Sequence, residues 1–329
     1  QLDYDDEVGF RAKRKLRDLA RTADERPFMM TASFTHPHDP YVARQEFWDL
    51  YDHVQIPMPT VGPLDDADTD PHSARLRKVI GADTTDVTED QIRAARRAYL
   101  ANCSYVDHHV GQLLDTLEYH GLADDTIVIF TADHGDQTGS HGLRSKGPWN
   151  YEETMRIPLY VVAPGITTAG TQTAEMMSPI DLAATICELG GIDPAANGLP
   201  GRSMLPMWQD PSTAGRDHVL FAQDWAWYDG LVNTRYASRG IFDGRYKYCR
   251  YYGIGGSSTT RGTAIAGPKQ FDVGARFEDH EHEFYDLHED PGELVNLAHD
   301  RSRRAELRSW YDRLLEAEAA ELAPMMMQP

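Results

Sequence analysis

The segment Thr126-Ile-Val-Ile-Phe-Thr-Ala-Asp-His-Gly135 places an acid and an imidazole at the end of an apolar run. Adjacent Asp133 and His134 offer one oxygen and one nitrogen donor, and one divalent cation can take both. A simple turn, with Asp133 as a helix cap and His134 as filler, reads the same residues equally well. The next stretch, Gly139-Ser-His-Gly-Leu-Arg-Ser-Lys-Gly147, carries Lys146 in a glycine-rich loop. An ammonium there is placed to hold an anion, although a surface lysine is the plain alternative. Tyr151-Glu-Glu153 and Arg156-Ile-Pro-Leu159 follow at once.

Such groups need elements to carry them. The run 126–131 predicts a buried parallel strand, because neither face alternates with polar residues. Ligands in open α/β sheets sit beyond the carboxyl ends of such strands, where Asp133 and His134 fall. Residues 157–162 predict a second strand and 28–34 a third, the latter ending in Thr35-His-Pro-His-Asp-Pro40, where two prolines forbid regular structure. Residues 88–120 predict a long helix on the apolar stripe Ile92, Ala95, Tyr99, Cys103, Val106, Val110, Leu113 and Leu117. Thr88 and Gln91 form a capping box, and Gly121 stops the helix. Helices are also expected at 4–25, with Val8, Phe10, Leu16 and Leu19 as its apolar face, and at 179–189. Residues 54–86 read as an excursion loop with at most a short helix near 74–80.

Strand, helix and loop alternate to about Pro206, which predicts an α/β architecture with a mostly parallel central sheet sandwiched by helices. Residues 207–329 read as a smaller C-terminal α+β subdomain. It has short strands near 219–222, 236–242, 246–252 and 283–286, a Gly/Ser/Thr-rich loop at 253–267 and a terminal helix at 301–321. Its His280 and His282 lie in an acidic stretch and are expected at the surface.

Composition narrows the function. With 32 Lys and Arg against 52 Asp and Glu, the net charge of −20 excludes a nucleic-acid binder that must neutralise phosphates. A small anionic substrate stays open, since a metal and a few cations can invert the sign of one pocket. No apolar run is long enough for a membrane span. Three scattered cysteines, Cys103, Cys187 and Cys249, argue against a disulfide framework and leave the compartment undecided.

The blocks together resemble one family. Asp-His-Gly, Gly-x-His-Gly, Lys-Gly, Tyr-Glu-Glu and Arg-Ile-Pro look like the second half of the sulfatase family, in the alkaline phosphatase superfamily. Phe34-Thr-His-Pro-His-Asp-Pro40, Asp107-His-His-Val-Gly-Gln-Leu-Leu114, Met177-Ser-Pro-Ile-Asp181, Asp243-Gly-Arg-Tyr-Lys-Tyr248 and Glu283-Phe-Tyr-Asp-Leu-His-Glu-Asp-Pro-Gly-Glu-Leu-Val-Asn-Leu297 resemble further family elements, in family order. The resemblance implies an alkaline-phosphatase-like fold and hydrolysis of a small-molecule or carbohydrate sulfate ester. It implies Asp133 and His134 as metal ligands, for Ca²⁺ first and Mn²⁺ or Mg²⁺ as alternatives. Lys146 falls on the lysine that contacts sulfate oxygens, and His38 on the histidine that contacts sulfate or protonates the leaving group. His36 is a weaker candidate for substrate contact, and His141 reads as structural.

The family's formylglycine arises from Cys or Ser in a Cys/Ser-x-Pro/Ala-x-Arg motif, and none of the three cysteines stands in one. Ser212-Thr-Ala-Gly-Arg216 fits loosely, but lies after the metal loop rather than well before it. Asp5-Asp6 is expected in a helix and does not replace the family's early Asp pair. A nucleophile-bearing segment of roughly one to two hundred residues is therefore expected on the N-terminal side, and this segment or a second copy is the expected macromolecular partner. A phosphodiesterase or phosphonate monoester hydrolase of the same superfamily is the alternative, and a non-catalytic anion-binding fragment a further one. Trp225, Trp227 and Tyr228 read either as an aromatic wall for the substrate or as core.

Overall fold

A computed structural model describes the chain apart from Glu25 and residues 65–72, 75–76, 78–80, 82–85, 229–232, 252–257, 261–262, 266–275 and 323–329; for 224–228, 233–237, 258–260 and 263–265 it describes the backbone alone. Most of the expected short helix at 74–80 and most of the loop at 253–267 lie outside the described residues. So do the side chains of Trp225, Trp227 and Tyr228.

Helix α1 (Leu2–Arg21) packs on the long helix α3 (Glu89–Tyr119), with the short α2 (Gln45–Asp49) beside them. The face α1 buries is Asp5, Gly9, Ala12 and Leu16; of the expected apolar face Leu16 is buried, Val8 and Leu19 are half-buried and Phe10 is exposed. Helix α3 begins at the expected box, where the Gln91 N–H donates to Thr88 Oγ1 at 3.3 Å and the Thr88 N–H to Gln91 Oε1 at 2.9 Å. Its buried positions are Ala98, Ala101, Asn102, Tyr105, His109 and Leu117; all but Leu117 lie one step round from the apolar stripe, whose other members are half-buried. The reason is close approach: a Cβ on Gly9 would lie 2.6 Å from Nδ1 of His109. Small residues and a flat ring admit α1 there, whereas branched side chains would hold it off.

Strands β1 (Val128–Thr131) and β2 (Leu159–Val162) pair antiparallel, Phe130 opposite Tyr160 and Val128 opposite Val162. This corrects the expectation of a buried parallel strand at 126–131. Ile129, Leu159 and Val161 pack on a core of Ala163, Met204 and Trp208. The opposite face carries Phe130, Tyr160 and Val162, which are 37%, 69% and 60% exposed. Both faces are apolar, so the run reads as doubly buried, but only one is covered among the described residues. Residues 28–34, expected as a strand, pair with no strand among the described residues.

The short α4 (Glu152–Met155) precedes β2, and α5 (Pro179–Leu189) and α6 (Leu205–Gln209) follow it. Asp181 anchors α5. Its carboxylate accepts the Ser178 and Arg202 N–H groups and takes Arg216 through two bonds of 2.6 and 2.8 Å.

Strands β3 (Val219–Tyr228), β4 (Asn233–Phe242), β5 (Tyr246–Tyr251) and β8 (Glu281–Asp286) form an antiparallel sheet in that order, and β6 (Ser258–Thr260) pairs with β7 (Thr263–Ile265). The terminal helix α7 (Arg304–Glu321) covers the four-stranded sheet, with Leu307, Trp310 and Leu314 packed on Ile241, Tyr248 and Phe284. His280 is buried, and His282 is held by the Tyr248 hydroxyl and the Phe277 carbonyl. This corrects their expected exposure: aromatic neighbours outweigh the acidic sequence around them. No helix among the described residues is long and apolar enough to cross a membrane.

Candidate functional site

The structure brings Lys146 and His38 together across more than a hundred residues of chain. The Lys146 ammonium donates to Nε2 of His38 and, at 2.7 Å, to Oδ1 of Asp39. Nδ1 of His38 lies 2.5 Å from the Asp39 carbonyl oxygen. A carbonyl only accepts, so Nδ1 carries the proton and Nε2 receives from lysine. Asp39 also accepts the Ser145 hydroxyl at 2.7 Å, which ties the 35–40 loop to the residue beside Lys146. Burial would raise the Asp39 carboxyl; the bonds from Lys146 and Ser145 outweigh it and hold it below the usual range.

His36 points the other way. Its side chain is fully buried, and Nδ1 lies 2.5 Å from Oδ2 of Asp5. Asp5 also accepts the N–H groups of Thr35 and His36, at 2.7 and 2.9 Å. Burial would raise its carboxyl, yet those bonds lower it. His36, expected as a weaker candidate for substrate contact, thus joins the root of the His38 loop to α1 and lies buried, away from Lys146.

Asp133 and His134 leave β1 on an exposed turn, with side chains 87% and 37% exposed. Nδ1 of His134 lies 2.8 Å from the Gly135 carbonyl oxygen, so Nδ1 carries the proton and Nε2 offers a lone pair. That Nε2 is 3.7 Å from Oδ2 of Asp133. Donors sharing one cation at about 2.0–2.5 Å each stand about 3–4 Å apart, so the pair fits part of a divalent-metal site. Among the described residues no cluster of three or more His, Cys, Asp or Glu completes one. Gly135 is required for space, since a Cβ there would lie 1.9 Å from the Glu153 carbonyl oxygen. At Gly147 it would lie 2.0 Å from the Trp149 ring.

Asp136, two residues after His134, is not evident from the motifs. It takes the Tyr41 hydroxyl at 2.7 Å and feels the charge of Lys146; burial raises its carboxyl, and Tyr41 partly offsets that. Asp39 lies inside the quoted loop, but only the fold shows that it grips Lys146. His141 is buried, as a structural residue should be, and stacks on Tyr151 at 3.8 Å. Ser212 is exposed and bonded to Asp210. A cavity of about 260 Å³ between α1, α2 and α3, lined by Asp6, Arg44, Tyr105, His108 and His109 among others, contains none of the residues singled out above for chemistry.

The family model described as Sulfatase matches residues 3–192, and the one described as N-sulphoglucosamine sulphohydrolase, C-terminal, matches 139–257. A choline-sulfatase of Rhizobium meliloti (strain 1021) is 37% identical over 303 residues, covering 91% of this chain and 52% of that protein. The multifunctional alkaline phosphatase superfamily protein PehA of Trinickia caryophylli is 29% identical over 314 residues, covering 89% and 55%. The chain thus spans about half the length of these curated relatives. Among solved structures, the phosphonate monoester hydrolase of Agrobacterium radiobacter superposes with a TM-score of 0.75 at 24% identity, over 95% of this chain and 60% of that one. That likeness carries the fold.

Proposed function

The chain belongs to the sulfatase family, within the alkaline phosphatase superfamily, and from that premise we propose that its residues act in the hydrolysis of a sulfate ester. The observation that carries the reading is the contact of Lys146 with Nε2 of His38 over a shared Asp39. Lys146 would bind the sulfuryl oxygens, where a preorganised cation stabilises developing charge. One proton of the Lys146 ammonium points at Nε2 of His38. When the S–O bond breaks and the alcohol oxygen leaves with the bonding pair, that proton is the one at hand to neutralise it.

Asp133 and His134 would hold a divalent cation, Ca²⁺ first among the candidates, that adds positive charge to the same anion-binding site. The nucleophile in this reading is a formylglycine from a segment outside residues 1–329. The similar proteins suggest what to assay: choline sulfate after the Rhizobium meliloti protein, and a phosphonate monoester after the Agrobacterium radiobacter structure. The test is steady-state hydrolysis by the whole protein of choline sulfate, an aryl sulfate and an aryl phosphonate monoester. Higher kcat/KM on a sulfate ester is expected, whereas a clear preference for the phosphonate would replace this reading with the phosphonate one.

A further inference from the structure

Lys247 of β5 and Glu293, in the loop after β8, form an ion pair with side chains only 2% and 1% exposed. Lys247 Nζ also donates to Oε1 of Glu152 at 3.1 Å, and Oε2 of Glu293 accepts the Glu152 backbone N–H at 2.8 Å. Glu152 opens α4, directly after the loop that carries Lys146. Two more bonds join this loop to the same part of the fold. Nε2 of His141 donates to the Gly292 carbonyl at 3.0 Å, and Nδ2 of Asn150 donates to the Tyr251 hydroxyl of β5 at 2.8 Å.

The loop needs such holding. Thr138, His141 and Ser145 have φ of 42°, 55° and 63°, the left-handed region that non-glycine residues leave unless their surroundings enforce it. Glu293 is itself at 53°. For stability alone, well-packed apolar residues would serve as well as a buried ion pair. A lysine between two acids adds directionality: it holds the Glu152 carboxylate and also the Glu293 carboxylate that accepts the Glu152 backbone N–H.

We propose that Lys247 and Glu293 are positioning residues for Lys146, the C-terminal sheet clamping the 139–151 loop through Glu152, His141 and Asn150 and so setting where the ammonium meets its anion. The proposal rests on the reading that Lys146 binds the anionic group of the ester.

The test is a set of double-mutant cycles in the whole protein, with kcat and KM measured for Glu293→Gln, Lys247→Met, Lys247→Arg and Lys146→Ala, and for the first two combined with the last. Thermal unfolding establishes that each variant is folded at the assay temperature. Glu293→Gln and Lys247→Met are expected to lower kcat at least about tenfold, the scale of a small misplacement at a reacting centre. Added to Lys146→Ala they should lower it no further, since they act through that ammonium. Lys247→Arg should restore part of the loss. Full kcat in folded Glu293→Gln, or losses that multiply with that of Lys146→Ala, overturns the proposal. If Glu293→Gln does not fold, the same cycle with Glu152→Gln decides. Undiminished kcat in Lys146→Ala would instead overturn the underlying reading of the site.

Discussion

Lys146 owes its direction to Asp39, whose carboxylate also takes Ser145 and stands 3.1 Å from Nδ1 of His38. Asp39→Asn keeps the shape and removes the charge. It is expected to lower kcat/KM by about ten- to a hundredfold through misplacement of the lysine, read by steady-state kinetics; an unchanged value would make Asp39 a bystander. At this scale the sequence singles out candidate groups, because Lys146, His38, Asp133 and His134 stand in recognisable motifs. It does not show direction. His36 and His38 are two residues apart in one loop, yet one faces Asp5 in the core and the other faces Lys146. Only the docking of α1, set by a distant glycine against His109, separates them.

At the scale of elements, helix α5 depends on one carboxylate. Burial would raise the Asp181 carboxyl, but the Arg216 guanidinium and the N–H groups of Arg202 and Ser178 lower it. The stabilisation from a depressed acid is complete above its unfolded pKa of about 4 and is lost as pH falls through the folded value. Asp181→Asn leaves Arg216 with Glu321, at 3.1 Å, as its remaining acid and is expected to cost about 1–3 kcal/mol near neutrality. Urea melts should show that gap at pH 7 and a smaller one at pH 3; a gap independent of pH would place the stabilisation elsewhere. The bounds of α3 and α5 and the cap of α3 are legible in the sequence because they are local. The pairing of β1 with β2 is not, since an apolar run fits a parallel or an antiparallel neighbour equally well. The buried face of α3 is misread for a related reason. Apolarity marks where a helix can pack, while small residues mark where another helix comes close.

For the whole molecule, the β1–β2 pair is covered on one face and presents Phe130, Tyr160 and Val162 on the other, and Asp133 and His134 leave the same strand as a partial donor set. Both features fit a site completed by a segment outside these residues, which is the central claim. The direct measurement is sulfate release from an aryl sulfate and from choline sulfate, with and without added Ca²⁺, by purified residues 1–329 beside the whole protein. The account predicts metal-dependent hydrolysis by the whole protein and none by 1–329. Robust metal-dependent hydrolysis by 1–329 alone would contradict it, place the nucleophile inside this chain, and make Ser212 the first residue to replace.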